Sequence, residues 1–466
     1  MSEHNRIVHF GIGAFHRGHQ AYYLHLLNQQ LPENERWYYT EVNLREETRA
    51  IPEALKKQNG RFHFKRIAPN GDADFVEVTS IDRVEDASSN PSVIKTIFDD
   101  DKLKAITITV TEGGYYLTET NDLNLTHPEI VNDIKVVKSG KGKPKTLFGY
   151  LTLALLVRQT MTNGAITVAT CDNLRDNGNR LEHAFGQFVE AAGPIDLMQW
   201  VSDNVTFPCS MVDRITPVPP ADLAEEVERV VGQKDICPIM GEDFEQWVIE
   251  TKFAAEFPPL DKVGVTFTDK VHAYEEAKIR ILNGGHFGLS YIGALRGYKT
   301  YDENIRDGEL NKLLKTYHQC EVIPTIYDRP FDLEQYRQVI VLRFSNTFIA
   351  DSIERIAMDS ISKFPQFILP TIKLNLERGY EPKAAMTLVS HWYCFLALYL
   401  SGRFPFNYKD PYLHIAEKWM EEPEPVKAFL ADPDIWQGLN QRFPLFGEQL
   451  AGQIKQTLND YQERYP

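Results

Sequence analysis

The feature that most constrains this chain is its first turn. Ile7-Val8-His9-Phe10 is a short apolar run, Gly11 ends it, and a helical pattern follows from about residue 17 to residue 30. A buried strand that feeds through glycine straight into a helix opens a strand–helix–strand unit. The alternation continues, with aromatic and β-branched strand signals at 36–43, 105–110 and 165–169 and an apolar helix over 147–162. Such a chain is expected to form a mostly parallel sheet covered by helices. Residues 75–84 alternate in polarity and read as an edge strand.

From about residue 274 the period changes. Residues 275–296, 353–360, 364–377, 383–401 and 447–461 repeat apolar positions every 3.6 residues, while 338–342 suits helix or strand equally. The expected architecture is therefore an α/β domain over residues 1–270 followed by an all-α domain over 271–466. The run Pro217-Val218-Pro219-Pro220 is a local breaker rather than a linker.

Composition enters as a filter. The 466 residues carry 50 basic and 65 acidic side chains, a net charge of −15, which argues against a nucleic-acid binder or a basic membrane-surface protein. The apolar run 392–400 is far shorter than the roughly 20 residues a spanning helix needs. Cys171, Cys209, Cys237, Cys320 and Cys394 are odd in number, widely spaced and without a CxxC pair, as reduced cytoplasmic thiols would be. The N-terminus lacks a signal-peptide layout. A cytoplasmic enzyme, monomeric or weakly homo-oligomeric, is the expectation.

Four groups of residues carry chemistry. Gly11-Ile12-Gly13-Ala14-Phe15-His16-Arg17-Gly18 lies where a dinucleotide-binding turn belongs, although His16 stands where the third glycine of G-x-G-x-x-G would be. A tight turn with no ligand is the plain alternative. An acid near the end of the second strand would meet the adenosine ribose, and Glu41 and Glu47 are both candidates. His16 and His19 have the spacing of a metal pair but no further ligand at coordinating distance in sequence, so packing or capping is expected and no metal. Thr111-Glu112-Gly113-Gly114-Tyr115 and Cys171-Asp172-Asn173 follow the third and fourth strands, on the side where open parallel sheets bind ligands. Asp172 or Asn173 would otherwise be a helix N-cap. Within Tyr274 to His286, at about 100° per residue, Asn283 lies about 140° and His286 about 80° round a helix from Lys278. A lysine, an amide and an imidazole on one face of an apolar, glycine-rich segment suit carbonyl–alcohol chemistry, with Lys278 taking a hydroxyl proton and Asn283 steadying an oxyanion.

The motif K-x-x-x-x-N-x-x-H at Lys278, Asn283 and His286 resembles that of the polyol-specific long-chain dehydrogenases, the mannitol dehydrogenase family. GIGAFHRGHQAYY at 11–23, TEGGY at 111–115, Asn177-Gly178, FPCSMVDRITP at 207–217, Gln246-Trp247-Val248 and SKFP at 362–365 resemble further blocks of that family, in its order and over nearly the whole chain. The resemblance implies a Rossmann-type N-terminal domain, an α-helical C-terminal domain, a cleft between them, and metal-independent oxidation of a secondary alcohol with NAD, NADP remaining open. It implies that Lys278 is the catalytic base, that Asn173 and Asn283 hold the reacting oxygen, and that Glu275 lies in the proton path. It implies polar or substrate contacts from Glu112, Asp213, His286, Arg355 and Lys363, and cofactor contacts from Gly11, Gly13, Phe15, His16, Arg17, Glu47 and Asn173. Thr48 stands where some mannitol enzymes carry a second acid that disfavours NADP. The segment 403–408 looks closer to the arabinitol branch than to the mannitol branch.

The expected reaction converts a sugar alcohol to a 2-ketose, D-arabinitol to D-xylulose or D-mannitol to D-fructose. Within the family the alternative is a reductase of fructuronate or tagaturonate, whose carboxylate would seek Arg355 or Lys363. Outside it, the alternative is a protein that senses NAD(H) without turnover.

Overall fold

Six parallel strands frame the first part of the chain. In chain order they are Asn5–Phe10, Trp37–Asn43, Ile81–Asp86, Leu103–Ile108, Ile166–Thr170 and Val205–Thr206. Side by side they run third, second, first, fourth, fifth, sixth, and every neighbouring pair is parallel. This is the strand order of doubly wound dinucleotide folds, in which the direction of winding reverses between the first and fourth strands. Ile7, Val8, Phe10, Ile106, Ile108 and Val168 are fully buried, as continuous apolar strands covered on both faces must be. This computed structural model describes residues 4–118 and 120–465. The expectation about an N-terminal leader rests partly on residues 1–3, which lie outside the described residues.

The contacts divide the chain into two units. One contains the residues up to Ala68 together with Asp72–His272, and the other contains Pro69–Gly71 with the residues from Ala273 on. The first unit is α/β and the second is built of helices, in line with the expected fold class.

Several elements differ from expectation. Residues 75–84 are not one strand: Ala73–Val78 belongs to a small sheet with Phe62–Ile67 and Ile239–Glu242, and Ile81–Asp86 is an edge of the main sheet. The chain is pinned at the break, where the Ser80 hydroxyl donates to the Ala21 carbonyl at 2.6 Å. A third sheet pairs Gln246–Ile249 with Ser210–Asp213 and Thr266–Phe267. The expected strand 105–110 lies at Leu103–Ile108 because the next N–H groups are drawn away. Val110 N and Thr111 N donate to the Asp172 carboxylate at 3.0 and 2.8 Å.

In the second unit, 338–342 lies within the helix Leu333–Phe344. The expected helix 364–377 is two, Ser360–Phe367 and Leu369–Glu377; Pro370, near the start of the second, has no N–H to continue the first. The apolar run 392–400 lies in the helix Lys383–Leu400, where Trp392 stacks on Phe364 at 4.8 Å and its indole N–H donates to Ser360 Oγ at 2.8 Å. Among the described residues no helix is long and apolar enough to cross a membrane.

Candidate active site

The turn at Gly11 sits beside the sheet's switch point. Gly11 has φ +107°, and a Cβ there would meet the Thr109 carbonyl oxygen at 1.9 Å, so only glycine closes this turn. At Gly13 a Cβ would find nothing nearer than Phe15 N at 4.0 Å, which leaves the backbone open to a ligand. Phe15 stacks on His19 at 5.0 Å. Arg17 is buried, donates to the Cys237 carbonyl at 2.5 Å and lies over the Phe62 ring.

His16 faces inward and is fully buried. Its Nδ1–H donates to Gln20 Oε1 at 3.3 Å, and Gln20 Nε2–H donates to His19 Nδ1 at 2.9 Å. His19 Nε2–H in turn reaches the Gln246 carbonyl at 3.0 Å. In this chain His16 Nε2 is an acceptor, so the Glu41 carboxyl 2.7 Å away is protonated and donates to it. Burial supports the same assignment: it holds His16 and His19 down to about 3 and pushes Glu41 up to about 7. The other Glu41 oxygen is buried without a partner, which an ionised carboxylate would tolerate poorly. Glu41, paired with His9 in the strand register, is thus engaged inside the protein, whereas Glu47 is exposed.

At the strand ends, neither Asp172 nor Asn173 caps a helix; the N-cap of the helix Asn177–Ala192 is Asp176. Asp172 instead accepts the N–H groups of Val110 and Thr111 and the Tyr115 hydroxyl, holding Thr111 at φ +66°. Burial raises its carboxyl to about 6. Asn173 and Glu112 are exposed and Asp213 is buried. The block Asn177-Gly178 has a packing cause. Asn177 Nδ2 donates to the Ser210 carbonyl at 2.8 Å, and Ser210 N donates back to Asn177 Oδ1 at 2.9 Å. A Cβ at Gly178 would lie 2.6 Å from the Phe207 carbonyl oxygen.

The second unit carries the other group. Residues Lys278–Asn283 form a π-helical turn between the α-helices Val271–Ala277 and Gly284–Arg296. In a π-helix the hydrogen bond joins residues five apart, so the 278 and 283 positions lie nearer each other round the axis than the expected 140°. Neighbours hold the widened turn. Arg280, fully buried, donates to Thr371 Oγ1 at 2.8 Å, Glu276 Oε1 at 2.8 Å and Thr325 Oγ1 at 2.6 Å. His318 Nε2–H donates to the Ile281 carbonyl at 2.8 Å, and burial lowers this imidazole to about 3, so it stays neutral. Gly284 and Gly285 admit these neighbours: a Cβ would stand 3.0 Å from Tyr317 Oη at one and 3.0 Å from His318 Nε2 at the other. Arg280 and His318 were not singled out by the sequence, because buried side chains that bond to backbone or hydroxyl groups leave no spacing motif.

Lys278 and Glu275 are buried. Asn283 Oδ1 is a buried acceptor without a protein donor. His286 stacks on Phe344 at 4.2 Å, with the Tyr301 edge at 4.6 Å. Arg355 is exposed and forks onto Asp351, with Nε 2.7 Å from Oδ1. Lys363 Nζ donates to the Met358 carbonyl at 2.6 Å.

The sequence matches the pattern described as the mannitol dehydrogenase Rossmann domain over residues 5–262 and that of the mannitol dehydrogenase C-terminal domain over residues 270–461. It is 37% identical to the D-arabinitol 4-dehydrogenase of Ralstonia nicotianae over 96% of each chain. It is 35% identical to the D-mannonate oxidoreductase of Escherichia coli over 83% of this chain and 79% of that one. The fold superposes on the Pseudomonas fluorescens mannitol 2-dehydrogenase ternary complex with NAD and D-mannitol with a TM-score of 0.82 at 31% identity, covering 99% of this chain and 97% of the other. With both of its units matched and relatives this similar over almost its full length, the chain belongs to the mannitol dehydrogenase family.

Proposed function

We propose that this protein is an NAD-dependent polyol dehydrogenase that oxidises a secondary hydroxyl of a sugar alcohol to a 2-ketose, with D-arabinitol or D-mannitol as substrate. The observation that carries this reading is the widened turn that brings together the positions of a buried lysine and of a half-buried amide whose buried oxygen has no protein donor. Lys278 takes the proton of the reacting hydroxyl. Asn283, through its amide N–H, steadies the oxygen as the proton leaves, and its Oδ1 is left to accept from a neighbouring hydroxyl of the polyol. Asn173 is assigned to the same oxygen as a second amide, and Glu275, three residues before Lys278, to the proton path. Asp213, Glu112 and His286 are assigned to the polyol.

Gly11 and Gly13 fit a pyrophosphate, since one closes the turn and the other leaves its backbone open. When bound, the nicotinamide supplies the hydride acceptor. Glu47 is assigned to the adenosine ribose, because Glu41 is occupied by His16. Phe15 borders the turn, and His16 and Arg17, being buried, shape it from beneath.

A second reading, oxidation of an aldonate, draws on the likeness to a D-mannonate oxidoreductase. A carboxylate substrate needs a cation to receive it. Arg355 is already forked onto Asp351 and Lys363 already donates to a carbonyl, which favours the neutral polyol. Initial rates with NAD and NADP on D-arabinitol, D-mannitol and D-mannonate test both readings. Turnover of a polyol with NAD is expected, and turnover of D-mannonate alone would replace the first reading by the second.

A further inference from the structure

Outside these residues, one cluster brings together three different metal-ligating side chains. Asp176 precedes the helix Asn177–Ala192, Cys209 precedes the strand Ser210–Asp213, and His272 is the second residue of the helix Val271–Ala277. Cys209 Sγ is 3.5 Å from Asp176 Oδ1, and His272 Nε2 is 3.6 Å from the same oxygen. All three donor atoms lie within 4.8 Å of one another.

From these contacts we infer that Asp176, Cys209 and His272 form a binding site for a thiophilic divalent cation, zinc above all, separate from the dehydrogenase chemistry. Metal–sulfur bonds of about 2.3 Å and metal–nitrogen or metal–oxygen bonds of about 2.0–2.1 Å define a tetrahedron. Its sulfur–oxygen edge is about 3.5 Å and its nitrogen–oxygen edge about 3.4 Å. The Cys209–Asp176 and His272–Asp176 edges are already close to these lengths, and the third, Cys209–His272, is no longer than 4.8 Å. Thiolate, imidazole and carboxylate together select zinc over magnesium or calcium, which prefer oxygen alone.

The surroundings have the form of a supported site. Asn179 Nδ2 donates to Asp176 Oδ1 at 2.7 Å, fixing the carboxylate. Cys209 is buried and its backbone N–H donates to Glu250 Oε2 at 2.7 Å, while the His272 side chain is 58% exposed and leaves an entry path. A cysteine thiol without a metal is largely protonated at neutral pH. Binding therefore forms a sulfur–metal bond and releases the thiol proton to solvent. With three protein ligands, the fourth position remains for water.

The buried group His9, His16 and Glu41 meets the same distance criterion but not the chemistry. The two rings stack face to face at 3.4 Å, and every ring nitrogen is bonded to protein, His9 to Thr107 and Thr109 and His16 to Gln20 and Glu41. Parallel rings direct their lone pairs along parallel planes and do not converge on one ion.

The test uses the full-length protein after EDTA treatment, titrated with Co²⁺ and then Zn²⁺. One equivalent of Co²⁺ is expected to produce a thiolate-to-cobalt charge-transfer absorption that Zn²⁺ abolishes. Cys209→Ser should remove the absorption, and His272→Ala, on the protein surface, should weaken Zn²⁺ binding by at least about 10-fold, the lower end for disturbing a metal's surroundings. No absorption with Co²⁺, an absorption that survives Cys209→Ser, or Zn²⁺ affinity unchanged in His272→Ala would overturn the inference.

Discussion

Splitting the buried His16–Glu41 pair is predicted to create a pH dependence of stability that the intact pair does not contribute. In the folded chain Glu41 is raised to about 7 and His16 lowered to about 3, from ordinary values of 4.5 and 6.5. Between pH 4.5 and 6.5 the folded pair holds one proton, on Glu41. The unfolded chain also holds one, on His16, so the pair contributes almost no slope. In His16→Gln only the raised carboxyl remains. The folded form keeps a proton that the unfolded form has lost, and stability falls as pH rises across this window. In Glu41→Gln only the lowered imidazole remains. The unfolded form binds the extra proton, and stability rises with pH. Each proton of difference is worth about 1.4 kcal/mol per pH unit, so between pH 5.0 and 6.5 the variants diverge from the parent by about 2 kcal/mol each, with opposite signs. Urea-dependent hydrogen exchange of peptides from Asn5–Phe10 and Trp37–Asn43, compared with the parent at pH 5.0 and 6.5, isolates this unit. Parallel pH profiles in all three proteins, or a shift of the same sign in both variants, would refute the shared-proton account.

Other expectations follow from single contacts. Gly178→Ala forces a methyl group against the Phe207 and Pro208 backbone at 2.6 Å and should cost about 1–3 kcal/mol, read as a lower melting temperature. His318→Phe leaves the Ile281 carbonyl without its donor, at a cost of about 1–3 kcal/mol, and should lower kcat more than it raises KM because the turn carrying Lys278 loosens. Glu47→Gln should narrow the preference for NAD over NADP by roughly 10-fold, about 1.4 kcal/mol, in the ratio of kcat/KM values.

Four strands of the main sheet, Asn5–Phe10, Trp37–Asn43, Leu103–Ile108 and Ile166–Thr170, were legible because they are largely buried and read as short apolar or β-branched runs. Its edges were misplaced or missed, Ile81–Asp86 being partly exposed and Val205–Thr206 only two residues long. The two small sheets were not legible. Gln246–Ile249 and Ile239–Glu242 are four residues each, too short for a period to emerge, and their pairing is set by distant partners. Lys278, Asn283 and His286 stood out by residue type, but the helix geometry assumed for them was α. The π turn depends on its own Arg280 and on Thr325, Thr371 and His318, which come from three other segments and share no local pattern with it. The roles of Glu41 and Asp172 were hidden for a similar reason. A carboxyl near a strand end looks the same in sequence whether it faces a ribose or is bonded inside the protein, and only the neighbours His16, Tyr115 and Thr111 decide.

The central claim is that Lys278 is the base for polyol oxidation. It is tested most directly by NAD reduction with D-arabinitol and D-mannitol in the parent and in Lys278→Ala, with NADH binding measured in parallel. The parent should turn over at least one polyol, and the variant should bind NADH with unchanged affinity while losing about 10²–10⁴ in rate. A variant that binds NADH and keeps the parent's turnover would contradict the claim.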